Sequence, residues 1–256
     1  AKDGSAFEMK EVKIRGEKSQ GMICAEDELG LSDDHGGIMV LDEEIYQVGE
    51  PFAKYFNLTN DEVYEIGLTP NRTDAMSHYG VARDLHAFLS TNGLKSEFEK
   101  VSTALVSTEG EHGFELEVED EALCPRYIGA VIENVKISES PEWLKDRLKA
   151  IGLSPINNVV DITNYILHGF GQPLHAFEAD KIAGKKVKVG VNDAGTKFVT
   201  LDGVERTLNG SEIMIKDGNN KPMCIGGVFG GNDSGVSEST TTIFLESAYF
   251  NPVAIR

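Results

Sequence analysis

Few places in this chain offer reactive chemistry, and each has an ordinary structural reading beside the chemical one. The segment 226–231 sets Gly226, Gly227, Gly230 and Gly231 around Val228 and Phe229. Glycines allow a backbone to approach a ligand closely, and their amides can point at a developing negative charge. The segment lacks the Gly-Lys-Ser/Thr ending of a phosphate loop, so taken alone it reads as a turn. His175 stands between Pro173 and Phe177; its ring suits the positioning of water, although a histidine in such company is more often a packed structural residue. Glu246 follows the apolar Ile243, Phe244 and Leu245, which implies burial, and a buried carboxyl without a partner is costly. Thr163 and Asn164 fall on a predicted helix, where the plain reading is that they face solvent.

Metal and redox chemistry find little support. Cys24, Cys124 and Cys224 are far apart and odd in number, which suggests neither a disulfide framework nor a metal clip. His35, His78, His86, His112 and His168 have no spacing that pairs ligands, and no metal site is expected. The acidic Glu26, Asp27 and Glu28, with Asp33 and Asp34, read as a solvated loop. The formal charge of -18 argues against general affinity for nucleic acid, which depends on many lysine and arginine contacts releasing counterions. No apolar run approaches the roughly 18 residues that span a bilayer, and the opening residues lack the layout of a signal peptide. A cytoplasmic protein with no membrane association is expected. Ala1 in place of Met, and Arg256 just inside a new helix, point to a piece of a longer protein.

The elements that must position these residues fall into three textures, and the fold class expected is α+β. Residues 1–56 read as small β-structure, with strands over 9–14 and 20–24. Residues 57–117 carry a helix capped at Asn71, Arg72 and Thr73, running through Met76, Tyr79, Val81, Leu85, Phe88 and Leu89 and ended by Gly93; its apolar spacing fits one buried face. A strand pair over 102–107 and 114–118 follows. Residues 118–256 read as one compact α+β unit. It begins with a strand over 127–137, then a helix opened by Ser140 and Pro141 and closed by Gly152. A second helix over 158–168 is stopped by Gly169. Strands follow at 187–191 and 198–201, with Asp202 and Gly203 turning into 204–208, and further strands at 212–216 and 243–247.

The segment NNVVDITNYILHGFGQPLHAF, residues 157–177, resembles the signature of the editing domain in the beta chain of bacterial phenylalanyl-tRNA synthetases. CIGGVFGGNDSGV at 224–236 and FLESAYFNPVAIR at 244–256 match the same family in the same order. LTPNRTDAMSHYGVARDL at 68–85 is similar to its amino-terminal domain, and KIRGEKSQGMICAEDELGL at 13–31 to the end of its OB-type tRNA-binding insertion. The resemblance implies three parts: the carboxy-terminal part of that insertion at 1–56, an amino-terminal-type α+β segment at 57–117, and a two-subdomain editing domain at 118–256, truncated at its carboxy end. One departure is Glu178, where the family has Asp, outside the pocket.

By that resemblance the chain hydrolyses tyrosine wrongly esterified to phenylalanine tRNA. His175, Thr163 and Asn164 are its expected catalytic residues, and Glu246, Gly227 and Gly230 its substrate-binding ones. Editing must accept tyrosine and refuse phenylalanine, which differ by one hydroxyl, and Glu246 is the candidate partner for that group. A site built around a hydroxyl discriminates by on the order of 10⁴ against the analogue lacking it, whereas an apolar synthetic pocket rejects an added hydroxyl only by roughly a hundredfold. Attack of water on an activated ester needs orientation and charge stabilisation more than a strong nucleophile. The glycine loop's amides would steady the oxyanion, His175 would position water or the terminal ribose, and Thr163 and Asn164 would hold the aminoacyl-adenosine end. The implied partners are phenylalanine tRNA and an alpha subunit, in an alpha2-beta2 heterotetramer. No cofactor is expected here, because ATP and magnesium belong to the synthetic site of the parent enzyme. Two other readings stay open: a non-catalytic module that helps fold the beta chain and orient tRNA, and a free-standing phosphate or nucleotide binder built on the glycine loop.

Overall fold

The computed structural model describes residues 10–31, 36–56, 62–101, 110 and 113–256. The strand expected over 102–107, and Asp33, Asp34, His35 and His112, lie outside them. The fold is mixed α+β, with several antiparallel sheets and few helices. The chain separates into two compact units, Ala1–Glu62 and Val63–Arg256.

In the first unit, β1 (Val12–Ile14) and β2 (Glu17–Ser19) form a hairpin about Arg15 and Gly16, both at positive φ. The expected strand at 20–24 does not form, because the turn falls at Gly16 and pairs residues 17–19 instead. Ala25 is the only buried residue among those described there.

The second unit begins with α1 (His78–Thr91). Its cap is Ser77, whose Oγ accepts from the Gly80 amide at 3.0 Å, rather than the expected residues 71–73, which lead into a separate 3-10 turn at Thr73–Ala75. Gly80 explains the close fit of the two: a Cβ there would lie 2.4 Å from the Asp74 carbonyl oxygen.

A three-stranded antiparallel sheet is built from β4 (Arg126–Ile132), β5 (His175–Glu178) and β12 (Ile243–Tyr249), with β12 in the centre. A five-stranded sheet combines β3 (Glu115–Val118), β6 (Lys186–Gly190), β9 (Met214–Lys216), β10 (Pro222–Ile225) and β11 (Phe229–Gly230) in the order β11-β10-β9-β6-β3. Its one parallel pair is β3 with β6. The crossover between them holds β4, α2 (Glu142–Ala150), α3 (Asn158–Phe170) and β5, so two strands of the three-stranded sheet lie within a connection of the five-stranded one.

The main core joins the two sheets. Phe177, Phe244 and Tyr127 from the smaller sheet meet Val187, Val189, Ile215, Met223 and Cys224 from the larger. Strand alternation sends Met214 the other way, against Phe198, in β7 (Lys197–Val199), and Leu208, just after β8 (Glu205–Thr207). That hairpin turns at Asp202 and Gly203, φ 76°, as expected. The far face of the smaller sheet is covered by α3, where Val159 packs on Ala176 and Ile243.

Helix α3 ends later than expected. Gly169 stays helical, and Gly171, at φ 79°, makes the left-handed cap with its amide on the Leu167 carbonyl. A side chain tolerates that conformation poorly, so the stop belongs to the glycine that leaves helical space. Asn157 caps the other end through the amides of Val159 and Val160.

Candidate functional site

Glu246 occupies the middle of the central strand β12, where its direct partners are Gly129 on β4 and His175 on β5. Directly opposed residues of an antiparallel pair have Cβ atoms about 5 Å apart, so the carboxyl and the imidazole are neighbours on one face. That face also carries Tyr127, Phe177 and Phe244 and looks into the main core.

The carboxyl is 6% exposed. Burial pushes its pKa from the ordinary 4.5 up to about 8, with the Tyr127 phenol pulling weakly the other way. His175 keeps an open edge, but its Nε2 is closed from solvent, and burial lowers its pKa to about 4. Its ring stands edge-on to Phe177 at 4.5 Å. At neutral pH the carboxyl is therefore largely protonated and the imidazole uncharged, as expected where water cannot solvate a charge.

Three side-chain atoms at this place are buried without a hydrogen-bond partner: Glu246 Oε2, His175 Nε2 and Tyr127 Oη. The phenol and the carboxyl are close enough to act on each other's titration, but Tyr127 Oη and Glu246 Oε2 have no hydrogen-bond partner within 3.5 Å. Native interiors satisfy nearly all such atoms, so three together single this place out within the domain.

The two glycines expected in the pocket have different tasks. A Cβ on Gly230 would lie 2.9 Å from His175 Cε1 and 2.9 Å from Leu201 Cδ1; the bare backbone of β11 is what lets the His175 ring sit there. Gly227 stands in the β10–β11 turn at φ 67°, and its Cβ would meet Phe250 and Ile255 at 3.2 Å. Its glycine is required by the turn, away from the imidazole. The loop's amides are also partly committed. Those of Gly226, Val228 and Gly231 donate to the carbonyls of Ile213, Ile225 and Met223 at 2.7, 3.0 and 2.8 Å, which leaves these three unavailable to an oxyanion.

Thr163 and Asn164 sit half-buried on α3, the helix whose Val159 packs on Ala176 and Ile243. Ala176 alternates with His175 along β5, so α3 lies across the sheet from Glu246. Thr163 Oγ1 donates to the Val160 carbonyl of its own helix at 2.7 Å. The structure thus clusters Glu246, His175 and Gly230, adds Tyr127, and holds Thr163, Asn164 and Gly227 on neighbouring elements. No motif distinguished Tyr127 in the sequence; the signal was its place two residues from Gly129, which becomes visible only once β4 is registered on β12.

A cleft of about 410 Å³ opens behind the same glycine strand, lined by Gly231, Phe198, Met223 and the lysines 181, 197 and 221. Each ammonium already faces a carboxylate, Glu178, Glu205 and Asp233 respectively. The unpartnered polar atoms are not among its lining residues. Among the described residues no cluster of His, Cys, Asp or Glu is placed to hold a metal ion, and no helix is long and apolar enough to cross a membrane.

The family model for the B3/4 domain matches residues 123–256, which contain the whole of this arrangement. The chain belongs to the B3/4 domain family. Its similarity extends beyond the domain: the phenylalanine–tRNA ligase beta subunit of Porphyromonas gingivalis is 52% identical over 98% of this chain and 30% of its own length. The beta subunit of Chlorobaculum tepidum is 49% identical over 100% of this chain and 30% of its own. The resemblance read from the motifs at 157–177, 224–236 and 244–256 is borne out, and the chain spans about 30% of the length of these relatives. A solved amino-terminal fragment of the phenylalanyl-tRNA synthetase beta subunit from Pyrococcus horikoshii overlies 72% of this chain and 55% of that one, at TM-score 0.43 and 15% identity.

Proposed function

We propose that this B3/4 domain is the editing site of a phenylalanine–tRNA ligase beta subunit, hydrolysing tyrosine from phenylalanine tRNA. The observation that carries the reading is the buried Glu246 carboxyl with an unpartnered oxygen beside the unpartnered His175 Nε2. A phenolic hydroxyl entering there satisfies Glu246, whereas a phenylalanine ring leaves it unsatisfied, and that asymmetry is the basis of the discrimination.

In the reaction, water adds to the ester carbonyl carbon, and the tetrahedral intermediate collapses with the ribose oxygen as leaving group. The proton lost by water ends on that oxygen, giving free tyrosine and intact tRNA. A histidine with a pKa of about 4 is a weak base, so His175 orients the water through Nε2 rather than stripping its proton. Gly230 leaves room for that ring. Thr163 and Asn164, on α3 across the sheet from Glu246, serve only the distal, aminoacyl-adenosine end in this reading, Thr163 through its lone pairs because its hydroxyl proton is already donated. Gly227 shapes the loop. No metal or cofactor enters; ATP and magnesium serve the separate synthetic site.

The working form is the cytoplasmic heterotetramer of two alpha and two beta chains, since a charge of -18 makes this segment a poor holder of tRNA alone. The test is deacylation of Tyr-tRNA and Phe-tRNA, both on phenylalanine tRNA, by that enzyme with wild-type or Glu246→Ala beta chain. The Tyr ester should be lost faster, and the substitution should slow it by about tenfold, the worth of a hydrogen bond to an uncharged polar group. Phe-tRNA loss should stay within about threefold. Equal losses for both esters would remove the hydroxyl-recognition role, and no hydrolysis by either enzyme would favour a purely structural, tRNA-orienting module.

A further inference from the structure

Tyr127 is buried, at 8% exposure, on the edge strand β4. In the ladder it stands opposite Ala248, two residues from the Gly129–Glu246 pair, and so lies diagonally beside Glu246 on the same face. The glycine between them has no side chain to intervene, and the space above it is filled by the Phe244 ring, which a Cβ would meet at 2.1 Å. A phenol that only packed in the core would have its hydroxyl bonded to a carbonyl or to the neighbouring carboxyl. Here Tyr127 Oη and Glu246 Oε2 are both left without a partner, although they are near enough to perturb one another.

Two unpartnered oxygens beside each other are a matched set for one further hydroxyl, which can donate to one and accept from the other. We propose that Tyr127 is a second specificity-determining residue of the editing site, donating its phenolic proton to the substrate tyrosine's hydroxyl while that hydroxyl donates to Glu246. The inference rests on the editing reading above and deepens it. It assigns the substrate group two partners rather than one, so that both its proton and its oxygen are recognised. Phenylalanine then leaves two buried oxygens unsatisfied, and a ring with a group that can only accept satisfies one of them.

The groups that face the Glu246 carboxyl are Tyr127 from β4, His175 from β5, Cys224 from β10 and Cys124 from the turn before β4. Of these, Tyr127 and His175 are the ones left with an unpartnered atom; the thiols are bonded to the carbonyls of Arg126, Ile225 and Phe229.

The experiment is Tyr127→Phe in the beta chain of the whole synthetase, with kcat and KM measured for deacylation of Tyr-tRNA and Phe-tRNA beside the wild type. Tyr-tRNA kcat/KM should fall about five- to tenfold, the value of one neutral hydrogen bond. Phe-tRNA deacylation and aminoacylation should stay within about twofold. The substitution keeps the ring and deletes an unsatisfied hydroxyl, so the melting temperature should be unchanged or raised; this separates lost recognition from lost folding. Equal loss on both esters, or undiminished Tyr-tRNA hydrolysis, would overturn the role of Tyr127 while leaving the editing reading intact if the wild type still prefers Tyr-tRNA. A wild type that spares Tyr-tRNA would overturn both.

Discussion

Asp161 and Glu246 are both carboxyls buried in the same unit, and the fold treats them in opposite ways. Asp161, at 0% exposure, accepts from Ser140 Oγ at 2.5 Å and from the Ile156 amide at 2.8 Å. It ties the start of α3 to the loop after α2 and to the approach to α2. Glu246 is equally closed off but keeps an oxygen without a donor. The reason is positional. Asp161 lies in the first turn of a helix, where loops pass close by and bring loose amides and hydroxyls. Glu246 lies in mid-strand with strands paired on both sides, where the backbone amides are spent on the ladder and only other side chains or a ligand can serve it. A carboxyl saturated by its own chain is structural; one with an oxygen left open fits the hydroxyl recognition proposed above.

The sharpest way to break this contrast is Asp161→Ala, which orphans Ser140 and the Ile156 amide and leaves a void. It should lower unfolding stability by about 3 kcal/mol, measured by denaturant titration, and leave the Tyr-to-Phe deacylation ratio of the full enzyme unchanged. A loss below about 0.5 kcal/mol would mean that the saturated network contributes little and that the two carboxyls differ less than their contacts imply.

A smaller effect separates the two glycines. Gly230→Ala drives a methyl to 2.9 Å from the His175 ring and from Leu201. Displacing a positioned group by even a fraction of an ångström slows a reaction markedly, so deacylation of both esters should fall about tenfold. Gly227→Ala, at φ 67° and against Phe250 and Ile255, should instead cost about 1–2 kcal/mol of stability through backbone strain with the deacylation ratio intact. The reverse pattern would move the close approach to substrate from Gly230 to the turn.

How much of this was legible before the structure depends on whether the relevant signal is local. The Asp202–Gly203 hairpin was readable because its turn chemistry is contained in two residues. Burial of Glu246 followed from its three apolar neighbours, and the clustering of Glu246 with His175 was implied by family resemblance, not by spacing. The cap at Ser77 was missed because Asn71 and Thr73 offer equally good capping chemistry, and the close approach of the bare Gly80 to the Asp74 carbonyl, which fits the helix start against the preceding turn, is a tertiary feature. The parallel pairing of β3 with β6 spans a crossover that carries two of the three strands of another sheet; no local pattern encodes it. Tyr127 was silent for the same reason, since its importance arises from the register of β4 on β12.

A pH scan is the most direct test that Glu246 is buried without adequate partners. Its folded pKa of about 8 lies above the ordinary 4.5, so between those values the unfolded chain has released a proton that the folded chain still holds. Stability from this group is therefore complete below about pH 4.5, falls as pH rises through about 8, and is flat beyond. His175 acts with the opposite sign: its folded pKa of about 4 lies below 6.5, so its contribution is complete above 6.5 and is lost as pH falls through 4. The buried Cys124, Cys224 and Tyr127, all raised by burial, lose stability only towards pH 9 and above. The window from pH 6.5 to 8 thus isolates the carboxyl. Over it the wild-type melting temperature should drop while that of Glu246→Gln, which cannot ionise, stays level, so that the two curves converge or cross on the alkaline side. Parallel curves would show that the carboxyl is solvated or paired in solution, and that the open oxygen on which the hydroxyl recognition depends is already filled.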